Sequence, residues 1–365
     1  MEYPGNIRVS TDNKTRLDTW GTESGYTVEN HLWIYTAPII LLLSVSGNGI
    51  TMAVMRRKRM RAGSTYVYLT LMALADMSVV VVGIIPEWLK QAHVVRIWEL
   101  DPWICRIELW MYYTVLDFAI WILVAFTGDR FVAVCFPLHK RNYCTRTRAR
   151  LSCAAIFVLA NLNLHVFWTR GRIRAPDGGI STNCGDLEPY VYFEKSIRPW
   201  VVLAMASIVP FLLILMSNIA IISGLLRSKT IRERQVLRST TVMCLSVSFT
   251  FLVLVTPNIA LLIGKKHWQG NATYRYARAI ASQLVYINHS INFMLYALTG
   301  SRFREELCFW KISMTSSPKC TSSVPGSPPT TPSTGLSRYL WQRSCDPTSG
   351  DFCLESISEK TVVDL

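Results

Sequence analysis

Seven apolar stretches of about twenty residues each, separated by short polar segments, run from Leu32 to Thr299. Each is long enough to cross the ~30 Å hydrocarbon layer as a helix that rises about 1.5 Å per residue. Helices are expected because a bilayer offers no partners to backbone N–H and C=O groups. The expected bounds are about 32–55, 66–90, 104–136, 151–169, 199–226, 237–263 and 276–299. The pattern predicts an all-α membrane protein in which residues 32–299 form a bundle of seven transmembrane helices.

The net charge of +14 does not indicate a nucleic-acid partner, because the basic residues stand in short blocks beside the ends of the apolar stretches. Three blocks lie within Arg56–Arg61, Lys140–Arg150 and Arg227–Arg238. By the positive-inside rule these loops face the cytoplasm, so the amino end is expected outside the plasma membrane and the carboxyl tail inside. Basic residues such as Arg170 and Lys265 in the opposite loops weaken this argument without reversing it.

Two glycosylation acceptors agree with this orientation. Asn13 stands in Asn-Lys-Thr and Asn271 in Asn-Ala-Thr, and both fall outside. Residues 1–31 are polar and contain no apolar signal sequence, so the first apolar stretch is expected to start membrane insertion. We therefore expect residues 1–31 to form an extracellular, glycosylated segment.

Ten cysteines are present, but only Cys105 and Cys184 fall on the outer side, where the compartment is oxidising. A disulfide between them would tie the second outer loop to the top of span three and contribute ~3–5 kcal/mol by loop-entropy arguments. Two free thiols are the alternative. An outer pair with no cysteine left over favours the disulfide.

Residues 312–365 are rich in Ser, Thr and Pro. A segment of this composition cannot bury enough apolar surface to fold. We expect a disordered cytoplasmic tail that can be phosphorylated, with an inert solvated tail as the alternative.

Asp76 lies in the middle of the second span, where an ionisable side chain costs at least ~2.5–3.5 kcal/mol on insertion scales. Asn48, Asn288 and Asn292 lie at comparable depth and could form hydrogen bonds with it. Such an intramembrane polar network can hold helices together or act as a switch. The residues favour neither role over the other.

The third span ends in Asp129, Arg130 and Phe131. An adjacent acid and base can satisfy each other until a partner draws the arginine away. Arg130 follows Cys105 by twenty-five residues, or about 37 Å of helix, which places these two residues at opposite membrane faces.

In their order and spacing, these residues resemble the rhodopsin-like G protein-coupled receptors over about residues 30–310. The matching positions are Asn48, Asp76, Cys105, Asp129, Arg130, Cys184, Pro210, Pro257, Asn292 and Tyr296. The resemblance implies agonist binding among the outer halves of the helices and outward movement of span six, which opens a cleft for a heterotrimeric G protein. Coupling and its switch would then rest on Asp129, Arg130, Phe131, Pro257, Asn292 and Tyr296.

The resemblance has further implications for the region after span seven. Residues 300–311 would form a short amphipathic eighth helix against the lipid of the inner leaflet, where Cys308 could carry a palmitoyl group. Phosphorylation of the tail by receptor kinases would recruit an arrestin.

Four switch positions depart from the family pattern. Phe131 and Asn218 stand in place of tyrosines, Val255 in place of a tryptophan and Phe293 in place of a proline. Transmission from the ligand to the cleft must therefore use other packing.

Many relatives hold a sodium ion around the acid that corresponds to Asp76. Asn288 and Asn292 are retained here, whereas Ala119 and His289 replace the customary hydroxyl residues. We expect no cofactor and keep a sodium ion at Asp76 as the alternative.

Two ligand classes of the family are disfavoured. Amine receptors use an aspartate seven residues after the cysteine of span three, and that residue is Tyr112 here. Retinal binding requires a lysine in the middle of span seven, and none occurs between Ala279 and Thr299.

The outer halves of the spans instead offer acids and aromatic rings. The residues predicted to line a ligand pocket are Glu87, Glu108, Tyr112, Tyr113, Asp117, Trp200, Ser282, Gln283 and Tyr286. This set suits a short peptide with a basic residue. The chain looks most like invertebrate-type receptors for peptides of the FMRFamide and thyrotropin-releasing-hormone type. For the aromatic residues, an interfacial belt is the alternative.

The sequence alone leaves other functions than a peptide receptor to consider. A receptor for a non-peptide small molecule would use the same fold. A transporter or channel should show internal repeats or broken helix pairs, which are not evident. No paired catalytic motif such as His-Glu-x-x-His occurs, so we do not expect an enzyme.

Overall fold

The computed structural model describes residues 14–61, 63–176, 178–227, 231–264, 268 and 272–315. The expected glycosylation sites Asn13 and Asn271 lie outside the described residues, as does the Ser/Thr-rich tail from residue 316 onward.

Helices account for most of the described chain. Those of eight residues or more are α1 (Lys14–Met55), α2 (Ser64–Gln91), α3 (Pro102–Cys135), α4 (Arg146–Ala160), α5 (Val209–Arg227), α6 (Ile231–Ile263), α7 (Ala272–Ser290), α8 (Asn292–Thr299) and α9 (Ser301–Thr315). Shorter helices cover Ile97–Leu100 and Lys140–Tyr143. Two strands, β1 (Arg170–Arg174) and β2 (Ile180–Asp186), form a hairpin that the sequence pattern did not predict.

Six helical segments of the described chain are long and apolar enough to cross a membrane. They are Glu29–Met55, Ser64–Gln91, Pro102–Cys135, Arg146–Thr169, Glu188–Leu226 and Thr240–Ile263. Each corresponds to one of the predicted spans. The seventh predicted span is divided between α7 and α8 by a bend at Ile291. The predicted fold class, an all-α membrane protein with seven transmembrane helices, is confirmed.

Two helices extend beyond the expected boundaries. The helix that contains the first span begins at Lys14 rather than near residue 32, and α9 ends at Thr315 rather than at residue 311. Apolar periodicity marks only the part of a helix that needs burial. Polar residues with adequate helix propensity can continue the helix beyond it.

The fifth span is not a uniform α-helix. Phe193–Ile197 and Ala204–Ile208 form π-helical turns, and Pro199 and Pro210 follow them closely. Proline has no N–H, so the helix ladder is interrupted and nearby carbonyls become available to other donors. The indole of Trp121 in α3 donates to the carbonyl of Met205, at 3.2 Å. This hydrogen bond joins α3 to the irregular part of span five.

The bend between α7 and α8 occurs without the proline of the family pattern. The side-chain amide of Asn48 in α1 donates to the carbonyl of His289, at 3.1 Å. In a regular helix that carbonyl would accept from the N–H of Phe293. The close approach of α1 is also visible at Gly47, where a Cβ atom would lie 3.1 Å from the Cβ of Phe293. The seventh span is therefore bent at the point where the side-chain amide of Asn48 in α1 contacts its backbone.

The hairpin is attached to the helix bundle at one end. A disulfide joins Cys105 of α3 to Cys184 of β2, with 5.5 Å between their Cα atoms. The Nε of Arg106 donates to the carbonyl of Arg170 in β1, at 2.8 Å. The predicted disulfide is thus confirmed. We call this the disulfide end of the bundle, and we call the opposite end, at the end of α3 that contains Arg130, the Arg130 end.

The chain forms two compact units that divide between Glu306 and Leu307. All sites described below lie in the first unit. The residue predicted to carry a palmitoyl group, Cys308, lies in α9 and belongs to the second unit.

Replacement of Cys105 or Cys184 by serine should reduce the amount of protein at the cell surface, because the 79-residue separation leaves a long loop unconstrained. Loss of such a constraint costs ~3–5 kcal/mol by loop-entropy arguments. Surface labelling of intact cells would measure the loss, with Cys144→Ser, at the Arg130 end, as the matched control. Wild-type surface levels in the Cys105→Ser variant would contradict the expectation.

Candidate functional site

A cavity of about 730 Å³ lies at the disulfide end of the bundle. Its walls come from α1, α2, α3, α6 and α7, and the hairpin contributes Arg170 and Cys184. The volume falls within the range of about 300–1,000 Å³ that is typical of small-ligand sites. Because the disulfide holds β2 against α3, the hairpin is a fixed part of the wall.

Six of the nine residues predicted for a ligand pocket line this cavity. They are Glu87, Glu108, Tyr112, Tyr113, Ser282 and Tyr286. The spacing of four between Glu108 and Tyr112, and between Ser282 and Tyr286, puts each pair on one face of its helix. The structure therefore brings together side chains from α2, α3 and α7.

The other three predicted pocket residues are not among those that line the cavity. The carboxylate of Asp117 accepts a hydrogen bond from Asn163, at 2.7 Å, and so is directed toward the fourth span. Trp200 is 67% exposed, which agrees with the interfacial alternative. Gln283 is buried within the bundle. The apolar pattern predicted the depth of these residues in the membrane but not their rotation about the helix axis.

Several lining residues were not predicted. They include Glu29, Trp33, Lys90, Trp98, Tyr274 and Arg275. The steps from Arg275 to Arg278 to Ser282 follow helical periodicity, so a search along one face of α7 could have found Arg275. Glu29 and Trp98 lie outside the predicted spans, so the positions of the apolar stretches could not have indicated them.

Two tyrosines meet against α2 at Gly83. The hydroxyl of Tyr286 is 3.3 Å from that of Tyr112. A Cβ atom at Gly83 would lie 2.5 Å from the Tyr286 hydroxyl and 2.7 Å from the Tyr112 ring, so only glycine allows this approach. Trp33 of α1 packs edge to face against Tyr286, with 6.0 Å between the ring centroids.

The two predicted acids of the cavity differ in their surroundings. Glu87 accepts hydrogen bonds from Lys90, at 3.0 Å, and from Gln91, at 2.6 Å. Glu108 is half-buried and has no hydrogen bond or ion pair with any described residue. The charged group that acts on it most is the carboxylate of Glu87, which has the same sign. The cavity therefore contains a carboxylate that has no partner among the described residues.

A buried acid outside the cavity positions part of its wall. Glu194 forms ion pairs with Arg170, at 2.9 Å, and with Arg198, at 3.5 Å. Arg170 also pairs with Asp186 at 2.6 Å, across the hairpin. The guanidinium of Arg198 lies 4.1 Å from the ring centroid of Tyr113. This cluster fixes the hairpin and Tyr113 relative to span five.

The predicted intramembrane network is centred on Asp76. Its two carboxylate oxygens form hydrogen bonds with the side chains of His289 and Asn292, each at 2.6 Å. Asn48 joins the network through the carbonyl of His289 rather than through Asp76 itself. Asn288 is buried, and its side-chain oxygen has no partner among the described residues. His289, which donates to or accepts from Asp76, appeared in the sequence analysis only as a replacement for a hydroxyl residue of the family pattern.

The geometry around Asp76 tests whether the residues present fit a sodium ion. Both carboxylate oxygens are already committed to hydrogen bonds. The imidazole of His289 lies beside the oxygen that an ion would need, and Ala119 offers no side-chain oxygen. Hard cations prefer several oxygen ligands. The hydrogen bond from His289 and the missing hydroxyl at Ala119 disfavour a sodium ion, whereas the buried amide oxygens of Asn288 and Asn292 have no partner among the described residues. No step below uses an ion.

Asp129 and Arg130 form an ion pair at the Arg130 end. The hydroxyl of Ser64, the first residue of α2, donates to Asp129 at 2.9 Å and accepts from Arg130 at 3.4 Å. The thiol of Cys144 donates to the carbonyl of Asp129, at 3.4 Å. Burial raises the pKa of Cys144 to about 11, so this thiol keeps its proton at neutral pH. Arg130 is thereby held buried against α2.

The remaining predicted switch residues are distributed along the bundle. Phe131 contacts Phe136 edge to face, with 5.6 Å between the ring centroids. Pro257 lies inside α6. Tyr296 is fully buried, and its hydroxyl donates to the sulfur of Met72 at 3.3 Å. The structure thus places these residues in separate contacts rather than in one cluster.

Comparison with known proteins gives one family. The profile described as 7 transmembrane receptor (rhodopsin family) matches residues 47–296. Cysteinyl leukotriene receptor 1 of Cavia porcellus is 26% identical over 313 residues, which cover 81% of this chain and 90% of that protein. A probable G-protein coupled receptor of Caenorhabditis elegans is 23% identical over 76% of this chain and 69% of its own length. The FMRFamide receptor of Drosophila melanogaster is 26% identical over 73% of this chain and 51% of its own length.

We expect the thermal unfolding of the purified protein to be the same in sodium chloride and in choline chloride at equal ionic strength, because His289 occupies one oxygen of Asp76. His289→Ser would free that oxygen and supply a hydroxyl, so this variant should gain a sodium-dependent rise in Tm. A gain of ~1 kcal/mol corresponds to about 2–4 °C. Asp76→Asn is the control without a carboxylate. A sodium-dependent rise in the wild-type protein would contradict the interpretation of this site.

Proposed function

Because the chain belongs to the rhodopsin family of seven-transmembrane receptors, we propose that it binds a short extracellular peptide with a basic group and activates a heterotrimeric G protein. The protein acts as a receptor and not as an enzyme. In this proposal it resides in the plasma membrane with its amino end outside. The disulfide end then faces the extracellular space, and the Arg130 end faces the cytoplasm.

The observation that carries the peptide proposal is the unpaired carboxylate of Glu108 in the cavity. A half-buried carboxylate without a partner loses hydration and gains no ion pair in return. A ligand with an ammonium or guanidinium group would supply that pair. The tyrosines beside Glu108 provide faces on which aromatic or cationic groups of a peptide can stack.

Glu87 has a weaker claim to the same role. Its carboxylate already accepts hydrogen bonds from Lys90 and Gln91. A ligand cation would have to compete with the ammonium of Lys90 for this acid. We therefore assign the principal contact to Glu108 and a secondary one to Glu87.

The names of the relatives leave two ligand classes to compare. The FMRFamide receptor is named for a peptide, whereas cysteinyl leukotriene receptor 1 is named for a leukotriene. A receptor for a non-peptide small molecule is the second candidate, and the basic residues of the cavity, such as Arg278, favour an acidic ligand in that case. Glu108, Tyr112 and Tyr113, which line the cavity from α3, favour a basic peptide over an acidic small molecule.

At the cytoplasmic end we propose that Arg130 leaves its contacts with Asp129 and Ser64 and engages the G protein. The two contacts hold it against α2 in the structure described here. Pro257 lies inside α6, where it removes one backbone hydrogen bond and permits that helix to move outward. An exposed apolar side chain near this end, Leu138 at 90% exposure, offers a further contact.

Partners at the carboxyl end follow from the same proposal. We propose that α9 contacts the lipid of the inner leaflet and that Cys308 carries a palmitoyl group. Receptor kinases would phosphorylate the Ser/Thr-rich tail, and an arrestin would bind it, each phosphate adding about −1.5 to −2 charge.

The proposed function can be tested by a peptide library applied to cells that express this chain together with a promiscuous G protein. Ligand-stimulated nucleotide exchange at the G protein is the expected result. A failure of all peptides, combined with a response to non-peptide acids, would favour the second candidate. Substrate flux without nucleotide exchange would indicate a transporter.

Arg130→Ala should abolish most agonist-stimulated nucleotide exchange at matched surface levels, because the side chain that engages the G protein is removed. Asp129→Asn and Ser64→Ala should each raise basal exchange about twofold or more. The first removes the negative charge that pairs with Arg130, and the second removes a hydrogen bond of about 0.5–1.5 kcal/mol that holds it. Thr70→Ala, on the same helix, is the control for Ser64→Ala. Normal agonist response in Arg130→Ala would refute this assignment.

Glu108→Gln should weaken binding of a basic agonist about tenfold to a hundredfold, which corresponds to ~1.4–2.8 kcal/mol. Glu87→Gln should weaken binding less, because Lys90 already compensates this charge. A neutral analogue of the agonist should lose little affinity in either variant. Competition binding with both analogues measures the difference. Equal affinities of basic and neutral analogues for the wild-type receptor would remove the role given to Glu108.

A further inference from the structure

Some of the charged side chains that line the cavity have no ion-pair partner among the described residues. Seven charged side chains line it among the described residues: Glu29, Glu87, Glu108, Lys90, Arg170, Arg275 and Arg278. Their partners decide which charges are available to a ligand.

Two of the basic residues are already compensated. Arg170 forms ion pairs with Asp186, at 2.6 Å, and with Glu194, at 2.9 Å. Lys90 pairs with Glu87, at 3.0 Å. These ion pairs belong to the protein itself, and a ligand would gain little by competing for either cation.

Arg278 differs from both. Its side chain is exposed, it lines the cavity from α7, and it forms no hydrogen bond or ion pair within the described part of the chain. The half-buried carboxylate of Glu29 lies close enough to act on it, but the same carboxylate also faces Lys90 and Arg275. One acid shared among three cations leaves the guanidinium of Arg278 free to take a further anion.

The acid without a partner and the cation without a partner lie on different helices. Glu108 is on α3, and the charged group that acts on it most is the carboxylate of Glu87. Arg278 is on α7, in a part of the wall where positive charge exceeds negative. A ligand whose only charge is a cation would form an ion pair with Glu108 and would leave Arg278 without one.

We propose that the ligand carries both charges, with a cationic group held by Glu108 and a carboxylate held by Arg278. This inference rests on the proposed function and narrows its ligand class to a zwitterionic peptide. A guanidinium binds a carboxylate with two parallel N–H···O hydrogen bonds, so Arg278 also sets the orientation of the bound end. The carboxylate is the free carboxyl terminus of the peptide or the side chain of an Asp or Glu residue.

Two tetrapeptide libraries of identical composition test the proposal, one with free carboxyl termini and one with amidated termini. Both are applied to cells that express the wild-type receptor, Arg278→Gln or Arg172→Gln, and nucleotide exchange is measured at matched surface levels. Arg172 is the control because it lies in β1, bonds to Asn183 and does not line the cavity.

In the wild-type receptor we expect active peptides to contain Lys or Arg and to lose at least tenfold in potency on amidation, unless they also contain Asp or Glu. Peptides with Asp or Glu can keep a carboxylate after amidation, so comparison with peptides that lack these residues shows whether the terminal or the side-chain carboxylate binds. In Arg278→Gln the free and amidated forms should become equally potent, whereas Arg172→Gln should retain the tenfold ratio.

Each other outcome overturns the proposal. Active basic peptides without Asp or Glu that are equally potent as acids and as amides would remove the anionic contact and leave the proposed function intact. A preference for the free acid that survives in Arg278→Gln would assign the carboxylate to another residue. If neither library activates the wild-type receptor at normal surface levels, the peptide proposal and this inference both fail.

Discussion

A polar group inside a hydrocarbon layer must find its partner within the protein, and the contacts of Asp76 are the clearest result of that constraint. Its carboxylate joins α2 to His289 at the end of α7 and to Asn292 at the start of α8. Asn48 brings α1 into the same network. Because a carboxylate left unpaired at this depth would cost several kcal/mol, these contacts fix the register of four helical segments at once.

The same constraint separates structural polar groups from functional ones. At Asp76, around Glu194 and beside Asp129, the chain satisfies its acids with its own donors. Glu108, at the cavity, is left without a donor among the described residues. Acids of the first kind hold helices in place. An acid of the second kind is the group to which our proposal assigns the cation of a ligand.

The sequence was sufficient for the features that depend on depth in the membrane. Apolar stretches predicted the spans, and the single outer pair of cysteines predicted the disulfide. Rotation about a helix axis was not accessible, which is why Asp117 and Trp200 were assigned to the cavity although they face elsewhere. Rotation is set by packing against neighbouring helices, and the apolar pattern of a lipid-exposed helix constrains it only weakly.

Contacts between distant segments were missed for a related reason. His289 could be recognised as a departure from the family pattern, but its hydrogen bond to Asp76 joins residues 213 positions apart. The hairpin of β1 and β2 was missed because polar loops outside the membrane carry little periodicity.

The bend at Ile291 also differs in kind from one caused by proline. A proline removes a backbone hydrogen bond permanently, since the N–H does not exist. Here Phe293 retains its N–H, and the carbonyl of His289 is occupied by an amide that belongs to α1. Withdrawal of α1 would return that carbonyl to its own helix. The bend in the seventh span thus coincides with a contact between helices and not with a missing N–H group.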